Sequence, residues 1–303
     1  MYDFAGSVLI EDEFLRDGLQ NEARGFSVAE KLHFLAGLEG AGVRRIQVGS
    51  FVHPKWVPQM ANTDEVFAAL TPKPGVTYTA LILNMAGLER ALAAVVKHLS
   101  VSVSASETHS RKNLNKSVDE ARAQITPILE RALGEGIAVR AGIQSALGCG
   151  FEGRIDPARV LDIARHYGQI GVHEVNIADT AGLANPVQVY RLCCQVREVV
   201  PASTALSLHL HDTRGLGMAN MVAGLQAGVR IFDAALGGLG GCPFIPKATG
   251  NIATEDAAFA LAEMGLTSGI DHRALGALTR EAEALLGRPL PGRMAHIDTG
   301  EPA

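Results

Sequence analysis

Several features that mark large protein classes are scarce in this 303-residue chain. Its four cysteines include no Cys-x-x-Cys pair and are too few for a disulfide scaffold, so we expect reduced thiols. No apolar stretch approaches the roughly 18 residues of a membrane span, and residues 1–6 lack a signal-peptide core. The sequence therefore predicts a cytoplasmic protein with no membrane partner.

Clusters of positive charge are scarce as well. The net charge is −5, and no basic run is longer than the dipeptide Arg111-Lys112. Proteins that bind nucleic acid usually present a basic patch, because they neutralise phosphate charge. We therefore expect no nucleic-acid partner. Hydrophobic residues, by contrast, make up 47% of the chain, which is enough for a large core.

Short strand-like runs alternate with longer helical patterns along the chain. Eight strands are predicted, at Val8–Phe14, Arg45–Val48, Tyr78–Leu83, His98–Ser104, Ala138–Gln144, Glu174–Ile177, Ala205–His211 and Ile231–Ala235. Eight β/α units over about 260 residues are typical of a TIM barrel, whereas a doubly wound sheet usually has fewer strands. The predicted fold is therefore an α/β, TIM (β/α)8 barrel that forms a single catalytic domain over residues 1–303.

Helical patterns separate these strands and continue after the last one. They include Val28–Ala41, Val118–Leu133, Pro157–Tyr167, Pro186–Val199 and Gly217–Ala227. A further pattern at His272–Leu286 precedes a tail rich in proline and glycine. We expect residues 267–303, approximately, to form a short C-terminal helical extension packed on the barrel.

The seventh predicted strand ends in two histidines that share a face. Because side chains alternate along a strand, His209 and His211 point one way while the neighbouring leucines point the other. Two neutral imidazoles side by side are suited to binding one divalent metal ion. Paired histidines also occur as hydrogen-bonding groups in polar interiors, and the motif alone leaves that reading open.

Polar residues also follow the ends of the other predicted strands, where TIM barrels carry their active sites. They include Arg16, Asp17, Gln47, Ser50, Asp179 and Thr180. The loop after the eighth strand is a glycine-rich segment, Gly237–Gly241, followed by Cys242. This loop is suited to closing over a substrate or to holding phosphate groups.

These motifs together resemble one enzyme family. The matching segments are Arg16–Glu22, Ser50-Phe-Val, Pro54–Met60, Asp179-Thr180, His209–Thr213, Gly237–Pro243 and Gly250-Asn251. In this order they are similar to 3-hydroxy-3-methylglutaryl-CoA lyase and its relatives, the DRE-TIM metallolyases, from about residue 8 to 287. The resemblance implies cleavage of a 3-hydroxyacyl-CoA, by default hydroxymethylglutaryl-CoA, to acetyl-CoA and acetoacetate. It further implies a place in leucine catabolism and a homodimer.

The resemblance also assigns roles to particular residues. It implies metal ligands at Asp17, His209, His211 and Asn251. Arg16 would polarise the thioester carbonyl, Cys242 would transfer a proton, and His209 would belong to the catalytic set. The mixed nitrogen and oxygen donors favour Mg²⁺ or Mn²⁺ without excluding Zn²⁺ or Co²⁺, and no organic cofactor beyond CoA is expected. Residues expected to contact substrate or support the ligands are Gln20, Gln47, Ser50, Asp179, Thr180, Arg214 and Glu255, of which Glu255 is expected to support Asn251.

The chain departs from the family pattern at Phe14-Leu15, at Gln144-Ser145 and at two positions that change the charge of the site. The familiar lyases carry a glutamate where this chain has Gln47, so an acidic group near the metal is expected to be missing. Arg214 follows the Asp-Thr pair where an aromatic or small residue is usual, and it is expected to add positive charge near the histidines. Such a shift favours a different or more anionic acyl group.

Three alternatives to a hydroxymethylglutaryl-CoA lyase follow. The first is a lyase for another branched 3-hydroxyacyl-CoA or for citramalyl-CoA. The second is a Claisen-type acyl-CoA synthase of the same superfamily, although the C-terminal region leaves no room for a regulatory domain. The third is a non-catalytic barrel that binds CoA esters, for which Gln47 is the supporting feature.

Overall fold

The computed structural model describes residues 4–241 and 250–297, and within them eight parallel strands close into a barrel in sequence order. The strands are β1 Leu9–Asp12, β2 Arg45–Ser50, β3 Thr77–Leu81, β4 His98–Ser104, β5 Ala138–Gln144, β6 Glu174–Asp179, β7 Ala205–Leu210 and β8 Ile231–Ala234. Closure by pairing of β1 with β8 confirms the predicted TIM barrel.

Helices surround the barrel. They are α1 Val28–Gly40, α2 Thr63–Ala69, α3 Met85–Ala93, α4 Glu107–Leu114, α5 Val118–Gly134, α6 Pro157–Ile170, α7 Pro186–Val199, α8 Gly217–Gln226, α9 Thr254–Glu263 and α10 His272–Leu286. Capping fixes several of their starts: Ser27 and Ser117 each form a capping box with the glutamate three residues later. No helix in the described ranges is long and apolar enough to cross a membrane.

The hydrophobic core lies between the barrel wall and the helices. On β5, Val139 and Ile143 face outward and are fully buried, and on β7 Leu208 does the same. Helix α10 covers the α1 side of the barrel, where Leu278 packs so closely on Gly37 that a Cβ atom there would lie 2.7 Å from it. This close contact explains why a glycine suits the middle of α1.

The inward faces of the strands are polar, unlike the apolar branched side chains that usually fill TIM barrels. Alternation along each strand turns the following side chains into the barrel: Glu11, Arg45, Gln47, Thr79, His98, Ser100, Arg140, Glu174, Asn176, Ser207, His209 and Asp233, all buried. The two faces of each strand therefore have different chemistry. The apolar face builds the core, and the polar face builds a network inside the barrel.

Ion pairs between distant strands hold this network together. Arg140 donates to Glu11 at 2.8 Å, to Asp233 at 2.6 Å and to Glu13 at 2.7 Å. Arg45 forms two parallel hydrogen bonds, of 2.8 and 3.0 Å, with Glu174. Because these groups are out of water, each charge depends on its partners. Arg45 also pairs with Glu11 at 2.6 Å, so the ion pairs tie β1, β2, β5, β6 and β8 to one another.

The main difference from the predicted strands lies in the first one. The prediction extended it to Phe14, but β1 ends at Asp12. The chain then coils into a single π-helical turn, Phe14–Gly18, and a 3₁₀ turn, Leu19–Asn21. In this turn the amides of Arg16 and Gly18 both donate to the carbonyl of Glu13. Tight turns of this kind often occur at functional sites, because they redirect side chains.

Replacing Arg140 with Met tests the contribution of the network to stability. The substitution leaves three buried carboxylates without their shared partner, so we expect a loss of about 3 to 5 kcal/mol in the free energy of unfolding. Urea denaturation measures it. The matched control is Arg131→Met, which removes a half-exposed pair with Glu89 and Glu135 and is expected to cost less than about 1 kcal/mol. Equal effects of the two substitutions would show that the network is not a stabilising element.

Candidate active site

Arg16 and Asp17 lie in the π-helical turn at the carboxyl end of β1. Both side chains are buried, with Arg16 9% and Asp17 6% exposed. The turn presents the two charged groups over the mouth of the barrel rather than to solvent. A surface ion pair at this position is therefore excluded.

His209 and His211 converge as the alternation on the seventh strand predicts. Their Nε2 atoms lie 2.9 Å apart, and His211 Nε2 lies 3.9 Å from the Oδ2 atom of Asp17. One ligand atom from each of these three buried residues falls within 4.8 Å of the other two. Two nitrogens bound in neighbouring positions to one metal ion stand about 3 Å apart, so this spacing fits a shared ion.

Asn251 reaches the same point from another part of the chain. Its backbone pairs with that of His211 in an isolated antiparallel bridge. The amide nitrogen donates to Asp17 at 2.8 Å, while Oδ1 is buried and has no hydrogen-bond partner in the described part of the chain. Gly240 closes over the group: a Cβ atom there would lie 2.6 Å from Asn251 Nδ2. The structure thus brings together all four residues predicted as metal ligands.

The far nitrogen of His209 is held by carboxylates. Its Nδ1 lies 3.2 Å from Asp233 and 3.5 Å from Glu13, so its Nε2 is left to face the site. A carboxylate behind an imidazole fixes the ring and its protonation, as at many metal centres. Burial lowers the pKa of His209, but the Asp233 hydrogen bond and the nearby acids outweigh it and raise that pKa. Burial and the charge of His209 lower the pKa of His211 to about 3.

The local charge fits a divalent cation. Ion pairs at the barrel mouth and in its interior join five carboxylates, Glu11, Glu13, Asp17, Glu174 and Asp233, to three guanidinium groups, Arg16, Arg45 and Arg140. When all eight groups are ionised, this network carries two net negative charges, which a divalent ion would neutralise. The donors at the mouth, two imidazoles, one carboxylate and one amide oxygen, suit Mg²⁺, Mn²⁺ or Zn²⁺.

Arg16 is held on three sides. Its guanidinium donates to Gln47, Asp17 and Glu13, and the contacts with Asp17 and Glu13 are ion pairs. Position 47 contributes a neutral amide to the site. Glu13, at the end of β1, places an acidic side chain beside Arg16 that the sequence reading did not assign to the site.

The remaining predicted residues divide into two groups. Gln20 donates to Asp17 at 2.9 Å and so supports a proposed ligand directly. Ser50, Thr180 and Asp179 instead hold backbone: Ser50 donates to the Leu81 carbonyl, Thr180 accepts from the Ser145 amide, and Asp179 accepts from two amides of its own loop. Burial raises the pKa of Asp179 to about 6, although these bonds oppose the shift.

Arg214 and Glu255 make contacts that the sequence did not predict. Arg214 is exposed, and Nη1 donates to the carbonyls of Ala181 and Gly182 at 3.0 and 2.9 Å. Its charge, like that of His209, acts on Asp179 and opposes the rise in pKa that burial causes. The guanidinium fits these carbonyls because the loop after β6 passes beside it. Glu255 forms no hydrogen bond with Asn251 and instead accepts from the Gly237 amide at 3.1 Å and from Thr279 at 2.9 Å. Helix α9 directs the Glu255 side chain towards the backbone at Gly237.

Cys242 lies outside the described residues. The acids Glu13 and Asp233, both fully buried beside His209, are functional groups that the sequence reading missed. A signal exists for Asp233, which lies among apolar neighbours on its strand, whereas Glu13 belongs to a run of three acids, Glu11-Asp12-Glu13, that shows no alternation. The pattern was recognised only on β7, where histidines made it conspicuous.

Comparison with known proteins gives consistent matches over nearly the whole chain. The model of the HMGL-like family matches residues 7–281. A 3-hydroxy-3-isohexenylglutaryl-CoA/hydroxymethylglutaryl-CoA lyase of Pseudomonas aeruginosa is 42% identical over 92% of this chain and 93% of its own. An (R)-citramalyl-CoA lyase of Chloroflexus aurantiacus is 41% identical over 94% of this chain and 93% of its own. The structure of an HMG-CoA lyase from Acinetobacter baumannii, in complex with coenzyme A and 3-methylmalate, superposes with a TM-score of 0.92 at 38% identity and covers all of both chains.

The imidazole pair makes the metal site directly testable. We expect His209→Ala and His211→Ala each to lose bound metal. Either substitution leaves the coordination shell of the metal incomplete, and no other imidazole in the described residues lies within reach to fill it. Elemental analysis after reconstitution with Mn²⁺ measures it. His173→Ala, a change on the solvent side of the barrel, is the control and is expected to retain metal. Full metal content in both site variants would overturn the ligand assignment.

The environment of Glu255 predicts a pH effect on stability. Burial raises its pKa to about 8, against 4.5 as the usual value, although its hydrogen bonds lower it. The folded chain therefore keeps a proton that the unfolded chain releases, and stability falls as pH rises from about 4.5 to about 8. Glu255→Gln removes this titration, so its free energy of unfolding is expected to change less between pH 5 and pH 8. An unchanged difference between the two pH values would contradict the prediction.

Proposed function

Because this chain belongs to the HMGL-like family, we propose that it is a metal-dependent carbon–carbon lyase that cleaves 3-hydroxyacyl-CoA esters, with hydroxymethylglutaryl-CoA as its substrate. Acetyl-CoA and acetoacetate are the products of that reaction. One observation carries the proposal: Asp17, His209 and His211 converge on one buried point, beside the guanidinium of Arg16. A positive group and a metal site at the mouth of a barrel are what enolate chemistry needs.

The reaction sets two tasks. A proton must leave the 3-hydroxyl group, and negative charge must be stabilised where it develops on the thioester oxygen. A bound divalent ion supplies a Lewis acid that acidifies the hydroxyl group and orients the acyl portion. The chain's own residues must supply the rest.

Arg16 is suited to the second task. Its side chain is nearly buried, so its charge is little screened by water. Gln47, Glu13 and Asp17 fix the orientation of the guanidinium before any substrate binds. A donor that needs no reorganisation stabilises a developing oxyanion most effectively. We assign to Cys242, on the basis of the resemblance, the delivery of a proton to the enolate carbon.

The imidazole of His209 has a supporting part in this scheme. Asp233 and Glu13 face its Nδ1 atom, which keeps Nε2 directed at the site. Asp17 and Asn251 complete the proposed ligand set, and the metal is proposed to be Mg²⁺ or Mn²⁺ with no organic cofactor beyond the CoA of the substrate. We also propose a cytoplasmic homodimer that acts in leucine catabolism.

Citramalyl-CoA is the second candidate substrate, and the 41% identical (R)-citramalyl-CoA lyase favours it. The position of Arg214 gives no support to a more anionic acyl group, since its guanidinium binds loop carbonyls. The clustering of Asp17, His209 and His211 beside Arg16 weighs against a non-catalytic barrel. A Claisen-type synthase would differ from a lyase in the direction of the reaction, because it would condense acetyl-CoA with a keto acid.

A substrate panel tests the proposed function. Metal-free protein, reconstituted with Mg²⁺ or Mn²⁺, is incubated with hydroxymethylglutaryl-CoA, citramalyl-CoA and a longer branched 3-hydroxyacyl-CoA, and the released keto acid and acyl-CoA are measured. Metal-dependent release of acetoacetate with the first ester is the expected result. Condensation of acetyl-CoA with a keto acid, and no cleavage, would favour a synthase. Binding of every ester with no turnover would favour the non-catalytic alternative.

Replacing Arg16 with Gln tests its role in the transition state. The change removes a charge that stabilises the enolate, so we expect kcat to fall by roughly two to four orders of magnitude. KM and metal content are expected to change little. Steady-state kinetics gives kcat and KM, and elemental analysis of the same preparation gives the metal content. A rise in KM with kcat unchanged would instead place Arg16 in ground-state binding.

A further inference from the structure

Arg16 has an unusual set of partners for a group that must stabilise negative charge. Its Nε donates to the neutral amide oxygen of Gln47, while Nη1 meets Asp17 and Nη2 meets Glu13. Asp17 belongs to the proposed metal ligands, so its charge is shared with an ion. Glu13 is therefore the one carboxylate, among the described residues that Arg16 contacts, that lies outside the proposed ligand set.

Glu13 is itself firmly held. Its carboxyl group is fully buried, and Oε1 accepts from Arg140 at 2.7 Å while Oε2 faces Arg16 and lies 3.5 Å from His209 Nδ1. One carboxylate thus touches the guanidinium and lies behind a proposed ligand imidazole. Arg140 holds the Glu13 carboxylate from inside the barrel, so this carboxylate cannot move without breaking the interior network.

The amide at position 47 has a physical reason in this chain. Gln47 Nε2 donates to Glu11 at 3.3 Å and to Ser100 at 3.2 Å, which turns Oε1 towards Arg16. A carboxylate at position 47 would face Glu11 with no proton between them. Like charges at that distance repel strongly in a buried site. The interior acid on β1 therefore favours a neutral donor on β2.

We propose that Glu13 is the positioning residue for Arg16, and that Gln47 on β2 is the neutral acceptor that completes its orientation. The pair Glu13 and Gln47 then acts as one unit: the acid orients the guanidinium, and the amide joins it to Glu11. This inference rests on the proposed function only in taking Arg16 as the group that stabilises the enolate.

Exchanging the two side chains tests the unit. Glu13→Gln removes the orienting charge and is expected to lower kcat by about 10- to 100-fold while KM stays within about threefold. Gln47→Glu alone adds a third acid beside Glu11 and Glu13 and is also expected to lower kcat. The double variant Glu13→Gln/Gln47→Glu returns one carboxylate to Arg16, so its kcat is expected to exceed that of Glu13→Gln by about tenfold, a strongly non-additive result.

Glu174→Gln is the matched control. It makes the same chemical change in the same buried network, but its partner is Arg45, at the other end of the barrel. We expect it to lower the melting temperature as Glu13→Gln does and to leave kcat unchanged. Metal content is measured in every variant, so that loss of the ion is not mistaken for loss of orientation.

A readout without turnover separates this inference from the proposed function. In protein labelled with ¹⁵N-arginine, the Arg16 Nε–H resonance, assigned by its absence in Arg16→Lys, is expected to exchange slowly with water. Glu13→Gln is expected to speed that exchange and Glu174→Gln to leave it unchanged. If the parent cleaves no ester yet these shifts occur, the function fails and the positioning role stands. Unchanged Arg16 exchange in Glu13→Gln, or a double variant no more active than Glu13→Gln, would overturn the inference.

Discussion

The excess of buried negative charge at the barrel mouth is the constraint on which the rest of the site depends. Arg140 joins three acids from β1, β8 and the turn after β1, and it can do so only if the barrel is closed. The acids in turn hold His209 and Arg16 in place. Since buried charges without partners are costly, the fold and the site stabilise each other. A divalent cation at the proposed site would complete the charge balance.

This arrangement explains how the proposed metal ligands meet although they come from positions far apart in the sequence. Asp17 follows the first strand, the histidines end the seventh, and Asn251 pairs with His211 by a backbone bridge. Each reaches the mouth because parallel strands end on the same side of a barrel. The interior network fixes their relative positions, and the outer apolar faces provide the stability that it needs.

The strand order and the imidazole pair were predictable from the sequence, because alternation and strand number are local properties. His209 and His211 are two residues apart, so their shared face follows from strand geometry alone. Glu13 and Asp233 were not predicted, because their partners are distant: Arg140 is 127 residues from Glu13 and 93 from Asp233. For the same reason the sequence did not show that Glu255 contacts Gly237 and Thr279 rather than Asn251. The resemblance correctly identified the family but could not show which acids contact Arg16 and His209.

The most direct test of the account is the rate of hydroxymethylglutaryl-CoA cleavage measured against metal occupancy. Mn²⁺ is added stepwise to metal-free protein, bound ion is counted by electron paramagnetic resonance, and acetoacetate release is followed in the same samples. The account predicts one site per chain and a cleavage rate that rises in proportion to its occupancy. Full cleavage by metal-free protein, or a filled site with no cleavage, would contradict it.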